Sequence, residues 1–141
     1  MQIYSARTLA KRREALANSL PEDKQYKSEI EQQSVCAITG ITVNLELDHV
    51  MPLAAGNWGN SKGNLMKLYQ PLNSSKNDSN IFQWMEQMEQ ERLNYLLPEG
   101  LEMTVEQFKQ KVLEALTVKA DELGLTLEQY KQKYNEEYRR S

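Results

Sequence analysis

At 141 residues the chain can bury one modest core and is too short for two comfortable domains. Its residues are 40% hydrophobic and 26% charged, ordinary for a globular protein, and no run approaches the roughly 18 uncharged apolar positions of a membrane span. A net charge of −3 excludes bulk positive charge as the means of holding nucleic acid. The opening residues lack the apolar core of a secretory signal and the single cysteine suits a reducing compartment, so a cytoplasmic protein is expected.

Charge is unevenly placed. Residues 1 to 20 carry Arg7, Lys11, Arg12 and Arg13 against Glu14, whereas residues 81 to 141 hold 8 basic and 12 acidic side chains. From Ser5 to about Asn18 the chain is rich in the helix formers Ala, Leu, Lys and Arg, with Leu9, Leu16 and Leu20 near helical spacing. A basic amphipathic helix is expected there, and Arg7, Lys11 and Arg12 are candidate DNA contacts, although a solvated face is the commoner fate of such a run. Ser19, Pro21 and Glu22 form a capping-box start for a second helix reaching about Gln33, with only Tyr26 and Ile30 apolar, which places it on the surface.

Thr39-Gly40 turns the chain into its most informative stretch, residues 36 to 78, which holds the protein's one histidine. Val43, Leu45 and Leu47 alternate with Asn44 and Glu46, the period of a half-buried strand, and the strand ends at Asp48-His49. A loop with turn formers at Pro52, Gly56, Asn57, Gly59, Asn60, Ser61 and Gly63 leads to a second apolar run, Leu65 to Tyr69. Pro71 then opens a helical turn carrying Asn73, Lys76 and Asn77 on one face.

Strand, loop, strand and short helix, taken with Leu47-Asp48-His49, with Gly63-Asn64-Leu65 fifteen positions past the histidine, and with Asn73-Ser-Ser-Lys76 nine further on, resemble the HNH nuclease family and its ββα-metal fold. The likeness is to the branch in which asparagine replaces the final histidine, and it covers about a third of the chain. It implies a phosphodiester hydrolase in which His49 is the general base, Asp48 and Asn73 hold a divalent ion, and Asn64 fixes the loop that orients the base.

The residue types suit that chemistry. Histidine can take a proton near neutral pH, and a carboxylate with an amide oxygen are hard ligands that Mg²⁺ accepts, with Mn²⁺ as an alternative. Lys76 and Asn77 are weaker candidates for a phosphate or metal contact, and Lys62 is a further candidate on DNA. Asp48 and His49 are adjacent, so both can serve one phosphate only where the strand bends. Many family members brace the hairpin with two Cys-x-x-Cys pairs around zinc. Here only Cys36 remains, Thr39 stands where its partner would fall, and the later pair is absent. One thiolate is too few for a structural zinc, so packing must hold the hairpin, and Cys36 reads as a small buried hydrophobe.

After Asp78, a candidate N-cap, one packed helix is expected over Asn80 to Leu97, with Ile81, Met85, Met88 and Tyr95 on its apolar stripe and Trp84 in the core. Pro98-Glu99-Gly100 ends it. Thr104-Val-Glu-Gln and Thr126-Leu-Glu-Gln, 22 residues apart, each cap a helix, and Gly124 closes the first of an αα-hairpin. Leu127, Tyr130, Tyr134 and Tyr138 line one side of the last helix, where they should cover a neighbouring helix with their hydroxyls wet. Trp58 should pin its loop rather than stack on a base.

These readings converge on one α+β domain spanning residues 1-141: N-terminal helices (1-35), a ββα-metal core (36-80) and C-terminal helices (81-141). The expected activity is metal-dependent hydrolysis of DNA, nicking as a monomer, with double-strand cutting needing a homodimer or a second enzyme. Family analogy adds a larger phage or mobile-element assembly as a setting. The competing reading is a binding module that keeps this fold without cutting and engages a protein or nucleic acid, favoured by the net negative charge and the missing zinc ligands.

Overall fold

The computed structural model describes residues 22–139, so the basic helix expected over 5–18, with Arg7, Lys11, Arg12 and Arg13, lies outside the described residues, as does Ser19. Within them the order is α1 (Lys24–Glu31), β1 (Leu45–His49), β2 (Leu65–Tyr69), α2 (Gln70–Lys76), α3 (Ile81–Gln87), α4 (Gln90–Leu96), α5 (Val105–Glu122) and α6 (Leu127–Glu137). The architecture is α+β, with a two-stranded antiparallel sheet among helices.

The first described helix starts at Lys24, because Asp23 supplies the cap by accepting from the Tyr26 amide at 2.9 Å. It is also less superficial than expected. Tyr26 and Ile30 are buried and pack with Leu65 in a small second core, while the rest of the helix stays wet. The strands pair Leu45 with Tyr69, Asp48 with Met66 and His49 with Leu65. Alternation does not extend back to Val43, which is 67% exposed. Asn44 turns the chain at a φ of +54° just before the strand, so Val43 belongs to the preceding turn.

Helix α2 carries Pro71 in its first turn as expected. The expected single helix over 80–97 is instead two, broken at Met88 and Glu89. Asn80, not Asp78, is the cap, its side chain accepting from the Phe82 and Gln83 amides. Five positions from Met88 to Leu93 would turn about 140° on an unbroken helix. The break brings Leu93 into the core and leaves Tyr95 87% exposed, opposite to the expected stripe. Both Thr-x-x-Gln capping boxes form, on α5 and α6.

Helix α6 departs furthest from its reading. Tyr130 and Tyr134 are fully buried, and their hydroxyls are not wet: Tyr130 donates to the Gly63 carbonyl at 2.9 Å and Tyr134 to the Val50 carbonyl at 2.8 Å. The Tyr134 oxygen also accepts from the Ile81 amide at 3.2 Å, and Tyr138 donates to the Asp78 carbonyl at 2.6 Å. Trp58 is buried edge-on against Tyr130 and Tyr134, with ring centroids 5.5 and 5.6 Å away, so it pins the loop. Trp84 packs edge-on against Phe108 in the core. On the other side of the loop, the Tyr26 hydroxyl lies 2.8 Å from Glu122 and 3.1 Å from the Leu65 carbonyl, with one proton for the two acceptors, and its oxygen accepts from the Leu65 amide at 3.3 Å. The hairpin is thus held by packing and by phenol hydroxyls on its backbone.

Removing the Tyr134 hydroxyl strands a buried carbonyl and a buried amide, so Tyr134→Phe should cost about 1–3 kcal/mol, read from the urea midpoint. Burial raises the phenol pKa of Tyr26, Tyr130 and Tyr134 above the ordinary value. An unfolded chain ionises these groups near pH ~10, so their contribution to stability, complete below that pH, should be lost as the pH climbs through the raised values. Tyrosinate absorbance and the far-UV circular dichroism should then change together in an alkaline titration.

Candidate functional site

The end of β1, the loop behind it and α2 enclose a cleft of about 270 Å³ lined by Asp48, His49, Pro52, Leu53, Asn73 and Asn77, with Glu46 and Asp78 adding carboxylates. Asp48 and His49 share it although they are adjacent on a strand. The strand ends at His49, where the Val50 amide donates to the Asn64 carbonyl at 2.8 Å and the Met51 amide to the Asn64 side-chain oxygen at 2.6 Å. Fully buried Asn64 also donates to the carbonyls of Met51 and Gly59. It therefore ties the two ends of the loop together without lining the cleft.

Asp48 is only 5% exposed. One carboxylate oxygen, Oδ1, accepts from Lys76 Nζ at 3.0 Å, and the other, Oδ2, is buried with no hydrogen-bond partner. Expected as a phosphate contact, Lys76 is instead 0% exposed, outside the cleft lining, and committed to Asp48 and to the His49 carbonyl at 3.2 Å. Its long stem is buried under the helix, and the ammonium emerges against the strand rather than into solvent. Asn77 follows the end of α2 with a φ of +47° and reaches the cleft from that turn, not from a shared helical face with Lys76.

Asn73 donates Nδ2 to Glu46 at 2.9 Å, a partner the sequence did not suggest. That bond directs the amide, leaving Oδ1 as its acceptor atom. Among the described residues no three His, Cys, Asp or Glu side chains group to hold a metal ion, and the donor set here draws on an amide. An unpaired buried carboxylate oxygen is costly alone, and a cation is the kind of partner that would offset that cost. Asp48 and Asn73 both line the cleft, and each carries a hard oxygen donor of the kind Mg²⁺ or Mn²⁺ takes.

His49 Nε2 lies 2.7 Å from Asn60 Oδ1, and Asn60 Nδ2 donates to Glu22 at 2.8 Å. Sequence reading missed both partners, since Asn60 stands among turn formers and Glu22 looks like a helix cap. Only the pairing of turn and helix start in space reveals them. Lys62 is exposed and outside the cleft lining, and Arg7, Lys11 and Arg12 lie outside the described residues. Cys36 is buried, and its sulfur accepts from the Thr39 amide at 3.4 Å in the turn preceding the hairpin. A larger hollow of about 700 Å³ between α4 and the start of α5 is lined by Asn94, Pro98, Glu99 and Met103, among others, and shares no lining residue with the cleft. No helix among the described residues is long and apolar enough to cross a membrane.

No family model matches the chain, and no curated protein or solved structure matches it either. The cleft's own residues must therefore carry any functional reading.

Breaking a buried ion pair leaves its surviving charge uncompensated, so Lys76→Met should destabilise the fold by about 3–5 kcal/mol. Adding Asp48→Asn should recover a substantial part of that loss, as a double-mutant cycle in urea would read. Additive losses would show that the pair carries no coupling.

Proposed function

We propose that this chain is a metal-dependent endonuclease of the HNH type, acting on DNA phosphodiesters. The observation that carries this reading is the convergence of Asp48, His49 and Asn73 on one cleft, with a buried oxygen of Asp48 left without a partner. A ββα-metal core over residues 36–80, with helices on either side, is the finer fold that goes with it.

In this reaction a water attacks phosphorus in line with the leaving oxygen. His49, at the strand end, takes the proton from that water. Asp48 Oδ2 and Asn73 Oδ1 would hold the divalent ion, which supplies neutralisation of the charge that grows on the phosphate and the leaving oxygen. Lys76 fixes the Asp48 carboxylate from behind, and Glu46 fixes the Asn73 amide. Asn64 locks the loop whose first residues follow the base. Pro52 and Leu53 add apolar surface to the cleft. The products are a 3′-hydroxyl and a 5′-phosphate, and one site per chain nicks one strand. DNA affinity falls to the N-terminal basic residues, to Lys62 and to the ion itself, and the setting is cytoplasmic.

Purified protein should convert supercoiled plasmid to the nicked form in Mg²⁺ or Mn²⁺. His49→Ala should lower the rate by about 10²–10⁴-fold, the usual contribution of a positioned base. Nicking retained by that variant would exclude His49 as the base. No nicking with any divalent ion would favour the non-cleaving binding module, for which the net charge of −3 argues.

A further inference from the structure

We propose that Glu46 is a positioning residue for the ion: by holding the Asn73 amide through its nitrogen, it commits that side chain to meet a divalent cation with oxygen. This role rests on the ion assigned above to Asp48 and Asn73. It makes the ion's affinity depend on a carboxylate that need not touch it.

Among the described residues, two polar side-chain rungs join β1 to α2. Glu46 and Asp48 are two positions apart on the strand and share a face, while Asn73 and Lys76 are three apart on the helix and lie one above the other. Asp48 meets Lys76 at 3.0 Å, and Glu46 meets Asn73 at 2.9 Å. The first rung is buried and the second exposed. Each ties one of the two ion-holding side chains to a partner on the other element.

The Glu46 rung has one allowed direction. An ionised carboxylate can only accept, so the Asn73 amide must present Nδ2 to Glu46. A planar amide carries its oxygen on the other arm of Cγ, and Oδ1 is then the atom left for a cation. The reverse orientation would offer the ion an NH₂ group, which has protons to donate where a hard cation takes oxygen. An asparagine without such a partner can turn either way, so the site would be ready only part of the time. Glu46 is exposed, and replacing it costs folding little.

Reversing the rung should therefore disarm the site. In Glu46→Lys the new ammonium can only donate, so the amide turns its oxygen to position 46 and its NH₂ to the ion. Adding Asn73→Asp restores an oxygen for the cation, because a carboxylate has one for each partner. Asp78→Lys makes the same change of charge at another lining residue, and so separates orientation from electrostatics.

Mn²⁺ binding to the full-length protein without DNA, read from the loss of the free-ion electron paramagnetic resonance signal, tests this. We expect Glu46→Lys to weaken binding about 10–100-fold, the usual cost of losing a group that orients a metal ligand. Asp78→Lys should lose less, and Glu46→Lys with Asn73→Asp should regain most of the wild-type affinity. In the metal-free wild type, one proton of the Asn73 side-chain NH₂, identified by its disappearance in Asn73→Asp, should resonate downfield, a signature lost in Glu46→Lys. Equal losses in the two lysine variants with no recovery in the double variant, or an Asn73 NH₂ unmoved by Glu46→Lys, overturn the proposal, as does a wild type that binds no Mn²⁺. A chain that nicks plasmid while its Mn²⁺ affinity ignores Glu46→Lys overturns this proposal and leaves the nuclease reading standing. Affinity that follows this pattern in a chain that does not nick supports the arrangement and removes only the reaction assigned to it.

Discussion

The backbone carbonyls of Val50 and Gly63, at the two ends of the loop between the strands, each receive the hydroxyl of a fully buried tyrosine on α6. That interaction organises the molecule, because a long loop can sit inside a fold only if its polar backbone finds partners. Tyrosine suits this position because its ring supplies apolar area to the core while its tip carries the hydrogen bond. Asn64 supplies further partners from within, Tyr26 supplies another from α1, and Gly63 takes a φ of +87° that a larger residue would resist. A side chain at Gly63 would also meet Leu123 at 2.8 Å. The backbone of the loop is thus braced by side chains of α1 and α6.

This brace ties the cleft to distant sequence. Tyr130 and Gly63 are 67 positions apart, and Tyr134 and Val50 are 84. The loop that follows His49 is consequently fixed only when α6 has docked, which makes assembly of the cleft a long-range event with a correspondingly large loop-closure cost. The ion pair beneath the cleft is a second dependency. Lys76 holds one oxygen of Asp48 and leaves the other bare, a buried arrangement that stability alone would not favour. Sites that break a local rule in this way are where function is to be sought.

Much of the fold was legible because it is local. The alternation before Asp48, Pro71 at a helix start and the two Thr-x-x-Gln caps each encode their element within a few residues, and each element is present. The break at Met88 was not legible, since neither glycine nor proline marks it and the cause is the demand that both Met88 and Leu93 reach the core. Helical spacing placed Tyr130 and Tyr134 on one face correctly, yet it could not say what lay opposite. Periodicity tells which way a side chain points and not whether a carbonyl waits there. The same limit hid Glu46, Asn60 and Glu22, whose partners come from other elements. It also misplaced Lys76, because a lysine three residues past Asn73 looks solvent-bound until the strand it covers is known.

An acidic chain with carboxylates at Glu46, Asp48 and Asp78 around its cleft is at first sight ill suited to a phosphodiester, since like charges at close range repel. On the proposed reading the contradiction dissolves, because a cation-dependent site needs negative donors where a purely electrostatic DNA binder needs positive ones. Lys76 does not cancel this character, for its charge is committed to one Asp48 oxygen from the buried side. Among the described residues, the charged side chains that line the cleft are carboxylates, and on the proposed reading a phosphate settles there together with a cation. On that reading affinity for the polyanion comes from elsewhere on the chain, while the cleft supplies chemistry and little binding. That division of labour suits an enzyme whose interactions are stronger in the transition state than with the ground-state strand.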